Sequence, residues 1–278
     1  MTSSLAGVVL AAGAGSRLLP LTSLRPKVLC PVANVALLDH ALDRVAPVTG
    51  DVAVNVFVGR ASPDLAARAL LDHLTRAARP GVVASEEPER LGTAGAIGHL
   101  RPWALGRDVL VVNGDTWCPA PLSPLLEGWD RRRVRVLVAG PEPFGPRARI
   151  VASLLPGAEA AALEARPSGL YEVLWAGRHA AGRLETLHWG GPFVDCARPA
   201  DYLRANLEAL AALRRDQLVA ADAAISGTAV LGRGVVVGPG ARVAGHLRRC
   251  VVWEDSRVEA GEVLSDAVRA GPLTVVVP

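Results

Sequence analysis

Val8-Val9-Leu10-Ala11-Ala12-Gly13-Ala14-Gly15-Ser16-Arg17 decides how this chain is read. A short β-branched run gives way to alternating alanine and glycine, the pattern of a buried strand entering a glycine loop. Working outward, the same punctuation recurs. Helical periodicity covers Asn34 to Val45, a strand comes next over Val52 to Val58, and then a helix over Pro63 to Ala78. After Gly81-Val82-Val83 and a polar loop, Thr93 stands where it could cap a helix over Ala94 to Leu100. The apolar run Val109 to Val112 stops at Asn113-Gly114-Asp115, and Val134 to Val138 repeats it after a helical stretch near Leu122 to Trp129. Strands alternating with helices predict an α/β fold, a doubly wound, mostly parallel Rossmann-like sheet. Ligands of such sheets bind beyond the carboxyl ends of the strands, where the glycine loop and Asp115 both fall.

A long helix is predicted from Ala200 to Leu218, and the sequence then changes character. Ile225, Leu231, Val237 and Val243 are evenly spaced, and Val252, Val258 and Leu264 resume the step after an offset. A hexapeptide period with an aliphatic lead residue predicts a short left-handed parallel β-helix of roughly three coils. The expected domains are therefore residues 1–222, which hold the sheet, and residues 223–278, the β-helix.

Composition removes several function classes. Half of the residues are apolar, yet no run approaches the ~18 that would suggest a membrane span. Met1 to Leu5 has no basic n-region, so no secretory signal and a cytoplasmic location are expected. Cys30, Cys118, Cys196 and Cys250 lie far apart, which argues against a metal cluster or a disulfide framework. The six histidines show no ligand spacing. A net charge of +3 is too small to suggest nucleic acid, and Arg131 to Arg133 reads as a solvated turn. One compositional fact is more pointed. The thirty basic residues are twenty-nine arginines and a single lysine, Lys27. A compact ammonium and a planar fork are not interchangeable, so a position that keeps lysine in such a chain needs a point charge.

Two familiar phosphate-binding patterns begin with glycines after a strand. The dinucleotide fingerprint needs a third glycine at the position of Leu18, and the P-loop needs Gly-Lys-Ser/Thr where the chain has Leu18-Leu19-Pro20. Neither fits. Instead the glycines lead to Arg17 and then to Pro26-Lys27. Glycines let backbone N–H groups approach phosphate oxygens, and the cations neutralise triphosphate charge. The stretch Gly7 to Val32, with Gly13-Ala14-Gly15-Ser16-Arg17 and Pro26-Lys27, closely resembles the signature of sugar-1-phosphate nucleotidylyltransferases. That resemblance makes residues 1–222 a nucleotidyltransferase domain. It implies nucleotide contacts from Leu10, Ala11, Ala12, Gly13, Ala14, Gly15, Ser16, Arg17 and Lys27. It implies further contacts from Leu91-Gly92-Thr93-Ala94-Gly95-Ala96, which is similar to the family's second nucleotide loop, through Gly92, Thr93 and Ala94.

Asp115 and Asp195, each read alone, are turn or cap residues. The resemblance gives both a role as ligands of Mg²⁺. Asp115 follows the central strand, and Asp195-Cys196-Ala197-Arg198-Pro199-Ala200-Asp201-Tyr202 is similar to the family's Asp-x-Gly-x-Pro-x-x-Tyr segment, with Ala197 in place of glycine. Arg17, Lys27, Asp115 and Asp195 are thus the expected catalytic set, with Asn113 and Glu172 as candidates for the sugar. One part of the pattern is absent. Family members carry a mid-chain Glu-Lys-Pro whose lysine meets the sugar phosphate, and this chain has no second lysine. Arg147, Arg149 and Arg178 are possible substitutes that spacing does not separate, with Arg178 read as a surface residue.

The expected activity is transfer of a nucleoside monophosphate from an NTP to a sugar 1-phosphate, with GTP and mannose 1-phosphate preferred over a uracil or thymine nucleotide with a glucose-type sugar. The alternative is an inactive relative that senses nucleotide sugars. The coil is expected to mediate self-association, with no nucleic acid or membrane partner.

Overall fold

Leu5–Leu10 forms β1, buried along nearly its whole length as a central strand covered on both faces must be. The computed structural model describes residues 5–60 and 64–277. Six more strands join β1: β2 (Val52–Phe57), β3 (Val82–Glu87), β4 (Asp108–Asn113), β5 (Val134–Ala139), β6 (Ile150–Leu155) and β7 (Leu184–Trp189). Their order is β7-β5-β6-β4-β1-β2-β3. All neighbouring pairs are parallel except those of β6, which runs antiparallel to both β4 and β5. Neither β6 nor β7 was expected from sequence. In β6 the small residues Ala152 and Ser153 interrupt an otherwise aliphatic run, which weakens its strand signal.

The helices carry several corrections. Helix α1 is Leu37–Val45, not Asn34–Val45. Ala33 and Asn34 both take positive φ, 49° and 64°, and make the two-residue turn between the short strands Pro31–Val32 and Val35–Ala36. Helix α2 is Leu65–Ala77, capped by Asp64, whose carboxylate accepts from the Ala67 N–H at 2.8 Å. The expected start at Pro63 lies outside the described residues. Helix α3, Gly92–His99, has no side-chain cap. The stretch near Leu122 to Trp129 is helical only over Ser123–Leu126. The last helix, α4, is Pro199–Ala212 rather than Ala200 to Leu218. Arg214 turns the chain at φ 54°, and Gln217–Val219 is already a strand, β8.

From β8 the chain winds as a parallel coil. Its strands are β9 (Ala224–Ile225), β10 (Val230–Leu231), β11 (Val235–Val237), β12 (Arg242–Val243), β13 (His246–Val252), β14 (Arg257–Val258) and β15 (Val263–Ala270). Three columns of parallel pairs stack: β8 on β11 on β13 on β15, β9 on β12 on β14, and β10 on the start of β13. Four hexad leads, Val237, Val243, Val252 and Val258, are at most 2% exposed and fill the coil's interior. Leu231 and Leu264 pack against them, while Ile225 is exposed. β13 and β15 each turn a corner at one residue of positive φ, Arg249 and Asp266, and these corners stack through an Arg249–Asp266 ion pair at 2.5 Å. An antiparallel strand, β16 (Leu273–Val276), pairs with β15.

The chain divides into two compact units, Met1–Ala14 with Leu38–Phe193, and Gly15–Leu37 with Val194–Pro278. The sheet lies in the first and the coil in the second. No helix among the described residues is long and apolar enough to cross a membrane. Leu247, 2% exposed in the coil interior, tests the second unit's packing. Leu247→Ala is expected to cost about 2–5 kcal/mol, seen as a lower urea midpoint with unchanged slope.

Candidate active site

In the first unit, register aligns the ends of three parallel strands: Leu10 of β1 lies opposite both Asn55 of β2 and Asn113 of β4. Just past that row the Ala11 N–H donates to the buried Asn55 carboxamide oxygen at 2.6 Å. The Asn55 amide donates in turn to Glu87 Oε1 at 2.9 Å, and the Leu91 N–H approaches Glu87 Oε2 at 3.5 Å. Glu87 is completely buried. Burial pushes its carboxyl pKa up, against the smaller opposing effect of the Asn55 and Leu91 donors. The first glycine loop and the Leu91–Ala94 loop are therefore joined through one buried carboxyl group. Arg90 adds a second tie: it donates to the Ala12 carbonyl and stacks over the Phe57 ring at 4.2 Å. Gly13 and Ala14 are exposed beyond these anchors.

The glycines of the second loop exist for close approach. Gly92 has φ 69° and a Cβ there would collide with the Ser168 carbonyl. One and two turns on, a Cβ at Gly95 or Gly98 would strike the backbone of Arg166 or Glu164. Residues 164–168 thus lie flat on a bare helix stripe. The Ser168 N–H donates to the Leu91 carbonyl at 2.9 Å and its carbonyl accepts from Ala94 at 3.0 Å. The Thr93 hydroxyl accepts from the Leu170 N–H at 2.8 Å, so its role is to hold this segment rather than to cap α3. Ala94 itself is buried in the core.

This seating delivers a turn of π-helix, Tyr171–Trp175, to the sheet edge. Phe144 clamps it, at 6.0 Å from Tyr171 and edge-on at 6.3 Å to Trp175. A cavity of about 340 Å³ opens here, lined by Leu10, Thr93, Asn113, Ser153, Glu172 and Trp175 among others. Both sugar candidates, Asn113 and Glu172, are in its wall. Asp115 is half-buried in the turn after β4, where the Gly114 N–H donates to the Leu10 carbonyl at 2.9 Å. Of the possible lysine substitutes, Arg178 is held by both oxygens of Glu159, at 2.6 and 2.7 Å. Arg149 lies 3.7 Å from Glu142, and Arg147 is exposed. None of the three lines the cavity.

In the second unit, Gly15 takes φ 63° and opens the 3-10 turn Ser16–Leu18, its carbonyl accepting from Thr22 Oγ1 at 3.1 Å. Lys27 begins another 3-10 turn and is 6% exposed. Its ammonium donates to Asp195 Oδ1 at 2.9 Å, and the largely exposed Arg17 guanidinium stands 3.8 Å from Asp195 Oδ2. Three of the four expected catalytic residues therefore meet. Arg25, stacked on Trp253 at 4.2 Å, and the Tyr202 hydroxyl, which donates to the Pro31 carbonyl, fix the segment that carries Lys27. Ala197, where the resemblance has glycine, is buried, and its N–H donates to the Asp195 carbonyl at 2.7 Å. Among the described residues no group of three His, Cys, Asp or Glu gathers as a metal cluster.

Sequence reading missed Asn55, Glu87, Ser153 and Trp175. A signal existed for two of them: Asn55 and Ser153 are lone polar residues inside apolar strands.

Residues 6–140 match the family model described as nucleotidyl transferase. That stretch, a little under half of the chain, is similar to the nucleotidyl transferase family. It is 28% identical to a mannose-1-phosphate guanylyltransferase of Mycobacterium tuberculosis, over 95% of this chain and 84% of that protein. It is 36% identical to an N-acetylmuramate alpha-1-phosphate uridylyltransferase of Caulobacter vibrioides, over 46% of this chain and 54% of the relative. A Bacillus anthracis structure assigned as a glucose-1-phosphate thymidylyltransferase, in complex with sucrose, shares the fold. Its TM-score is 0.59 at 18% identity, over 76% of this chain and 96% of that one.

Glu87 gives a pH test of the nucleotidyl transferase fold. Its raised pKa means that the folded state holds the proton more tightly than the unfolded chain. Its contribution is fully present below the ordinary value of 4.5 and fades as pH rises through the higher folded value. Urea midpoints taken from about pH 4 to about pH 8 should fall more steeply for the parent than for Glu87→Gln. Parallel profiles would show that Glu87 titrates as it does in the unfolded chain.

Proposed function

We propose that the protein transfers a nucleoside monophosphate from an NTP to a sugar 1-phosphate and releases pyrophosphate. The observation that carries this reading is the chain's single lysine, buried against Asp195 at 2.9 Å with Arg17 beside the same carboxylate. A charged site of this kind, on a segment that opens with a glycine turn, suits a polyphosphate.

In the reaction, an oxygen of the sugar phosphate attacks the α-phosphorus, and the bond to pyrophosphate breaks opposite it. The nucleophile is already anionic, so no general base is required, and catalysis comes from positioning and electrostatics. Arg17, 70% exposed at its side chain, can swing to grip phosphate oxygens, while Lys27 is fixed and keeps positive charge on the loop. Asp115 in the first unit and Asp195 in the second each carry hard carboxylate oxygens of the type Mg²⁺ takes alongside water and substrate phosphates, and each is proposed as a Mg²⁺ ligand. When bound, the ion neutralises charge on the phosphate oxygens.

GTP with mannose 1-phosphate is the preferred pair, supported by the guanylyltransferase relative that spans nearly the whole chain. Self-association through the coil belongs to the same proposal, supported by the exposed Val230, Val263 and Val276. A second reading, a nucleotide-sugar sensor without turnover, is favoured by one observation: among the described residues, no arginine stands in the cavity wall in place of the family's sugar-phosphate lysine.

Pyrophosphate release with Mg²⁺ across NTPs and sugar 1-phosphates separates the two. Release is expected to need one NTP and one sugar phosphate together, to vanish in Asp115→Ala, and to drop by about 10²–10³ in Lys27→Ala. Binding of a nucleotide sugar with no release from any pair would establish the sensor. Molar mass by light scattering should exceed that of one chain at micromolar concentration, and a monomer throughout would remove the coil from assembly.

A further inference from the structure

Where the chain leaves β1, its peptide planes are held unequally. The Leu10–Ala11 plane is fixed from both sides: the Leu10 carbonyl accepts from the Gly114 N–H at 2.9 Å, and the Ala11 N–H donates to Asn55 at 2.6 Å. The Ala12–Gly13 plane has one anchor, the Arg90 guanidinium on the Ala12 carbonyl. Steric contact adds nothing to it, because Gly13 is exposed and a Cβ there would meet no atom within 4 Å. Among the described residues, the N–H groups of Ala12, Gly13 and Ala14 donate to nothing.

A trans peptide is planar, with its C=O and N–H pointing in opposite directions. Holding the Ala12 carbonyl on Arg90 therefore aims the Gly13 N–H to the opposite side of the loop. Glycine has the widest choice of φ and ψ, so without that bond the plane would rotate at little cost. Arg90 is itself held. Its guanidinium lies over the Phe57 ring at 4.2 Å, and the residue after it, Leu91, approaches buried Glu87 through its N–H. A long exposed side chain loses rotamer freedom when it is fixed, and the stack on Phe57 offsets part of that loss. The anchor is thus built from the end of β2 and the second glycine loop, and it reaches across to the first.

We propose that Arg90 is a positioning residue for nucleotide binding. Clamped on Phe57, it sets the Ala12–Gly13 peptide so that the Gly13 N–H is presented to an acceptor on the NTP. This rests on the reading of the protein as a sugar-1-phosphate nucleotidylyltransferase and adds a residue to it. Arg90 acts through the backbone. A carbonyl that accepts from a cation is polarised, and the N–H of the same amide becomes a stronger donor.

The test reads NTP affinity by calorimetry with Mg²⁺ and no sugar phosphate, starting with GTP and continuing through the other NTPs. Pyrophosphate release is measured beside it, with the pair that supports turnover. Arg90→Ala, checked for a parent-like urea midpoint, is expected to weaken NTP binding and raise its KM by about five- to tenfold. KM for the sugar phosphate should stay in place. Phe57→Leu should do part of the same, and the double variant should be no worse than Arg90→Ala alone, because the ring acts only through the guanidinium. The ratio of parent to Arg90→Ala affinity should hold from about 0.05 to about 0.5 M NaCl, and a ratio that collapses with salt shows the guanidinium itself meeting the phosphates. That result overturns positioning through Ala12. Unchanged NTP affinity in Arg90→Ala, or additive losses in the double variant, also overturns it while the transferase reading stands. NTP binding with no release from any pair removes the transferase reading, and the affinities of the variants then decide the role of Arg90. A parent that binds no NTP overturns both.

Discussion

The geometry of the sheet unit depends on the buried bond between Asn55 and Glu87. A carboxyl group with no exposure is tolerated only where its oxygens are occupied, and Asn55 and the Leu91 N–H occupy them. Because Asn55 also accepts from Ala11, the same group fixes where β1 lets go and where α3 begins. The Leu91–Ala94 loop in turn seats residues 164–170, and those seat Tyr171–Trp175. One buried hydrogen-bond chain thus sets the first loop, the second loop and the wall of the cavity. A change that unpairs Glu87 should be felt at Glu172 although the two never touch.

The single lysine reflects packing as much as charge. Its side chain is 5% exposed beside Asp195, whose own is 46% exposed. An ammonium there needs partners for three donors, while a guanidinium needs partners for five in a fixed plane. In a chain that uses arginine everywhere else, such a pocket is where the exchange would leave donors unmade. Arg17, by contrast, lies in solvent and can move. The two cations on Asp195 therefore divide the work: one is set in place by the fold, and the other is available to a ligand.

How much of the molecule was legible in its sequence depends on how local each signal is. The run from Val8 to Arg17, the stop at Asn113-Gly114-Asp115 and the hexad leads announce themselves through adjacent residues; β1 and the turn after β4 lie where they were expected, while the parallel coil already begins at Gln217, before the expected 223. Asp195 needed the family pattern. Asn55, Glu87, Ser153 and Trp175 were out of reach because their roles arise from register and from segments far apart in the chain. The overlong helices have a similar cause. Nothing local distinguishes Asn34 as a turn residue until Val35–Ala36 pairs back on Pro31–Val32, and Leu213 to Leu218 keeps a helical look although Arg214 has already turned the chain. Strand β6 was hidden by Ala152 and Ser153, the small residues that leave room for the cavity.

That coincidence bears on the missing lysine. A strand crossing the sheet between β4 and β5 could carry a cation toward the ligand, but in this chain its inner positions are small or apolar and its one polar atom is an uncharged hydroxyl. The nearby arginine with the best geometry, Arg178, is neutralised by two bonds to Glu159 and does not line the cavity. Among the described residues no lysine, arginine or histidine lines the cavity, so a phosphate buried there would lack a counter-charge.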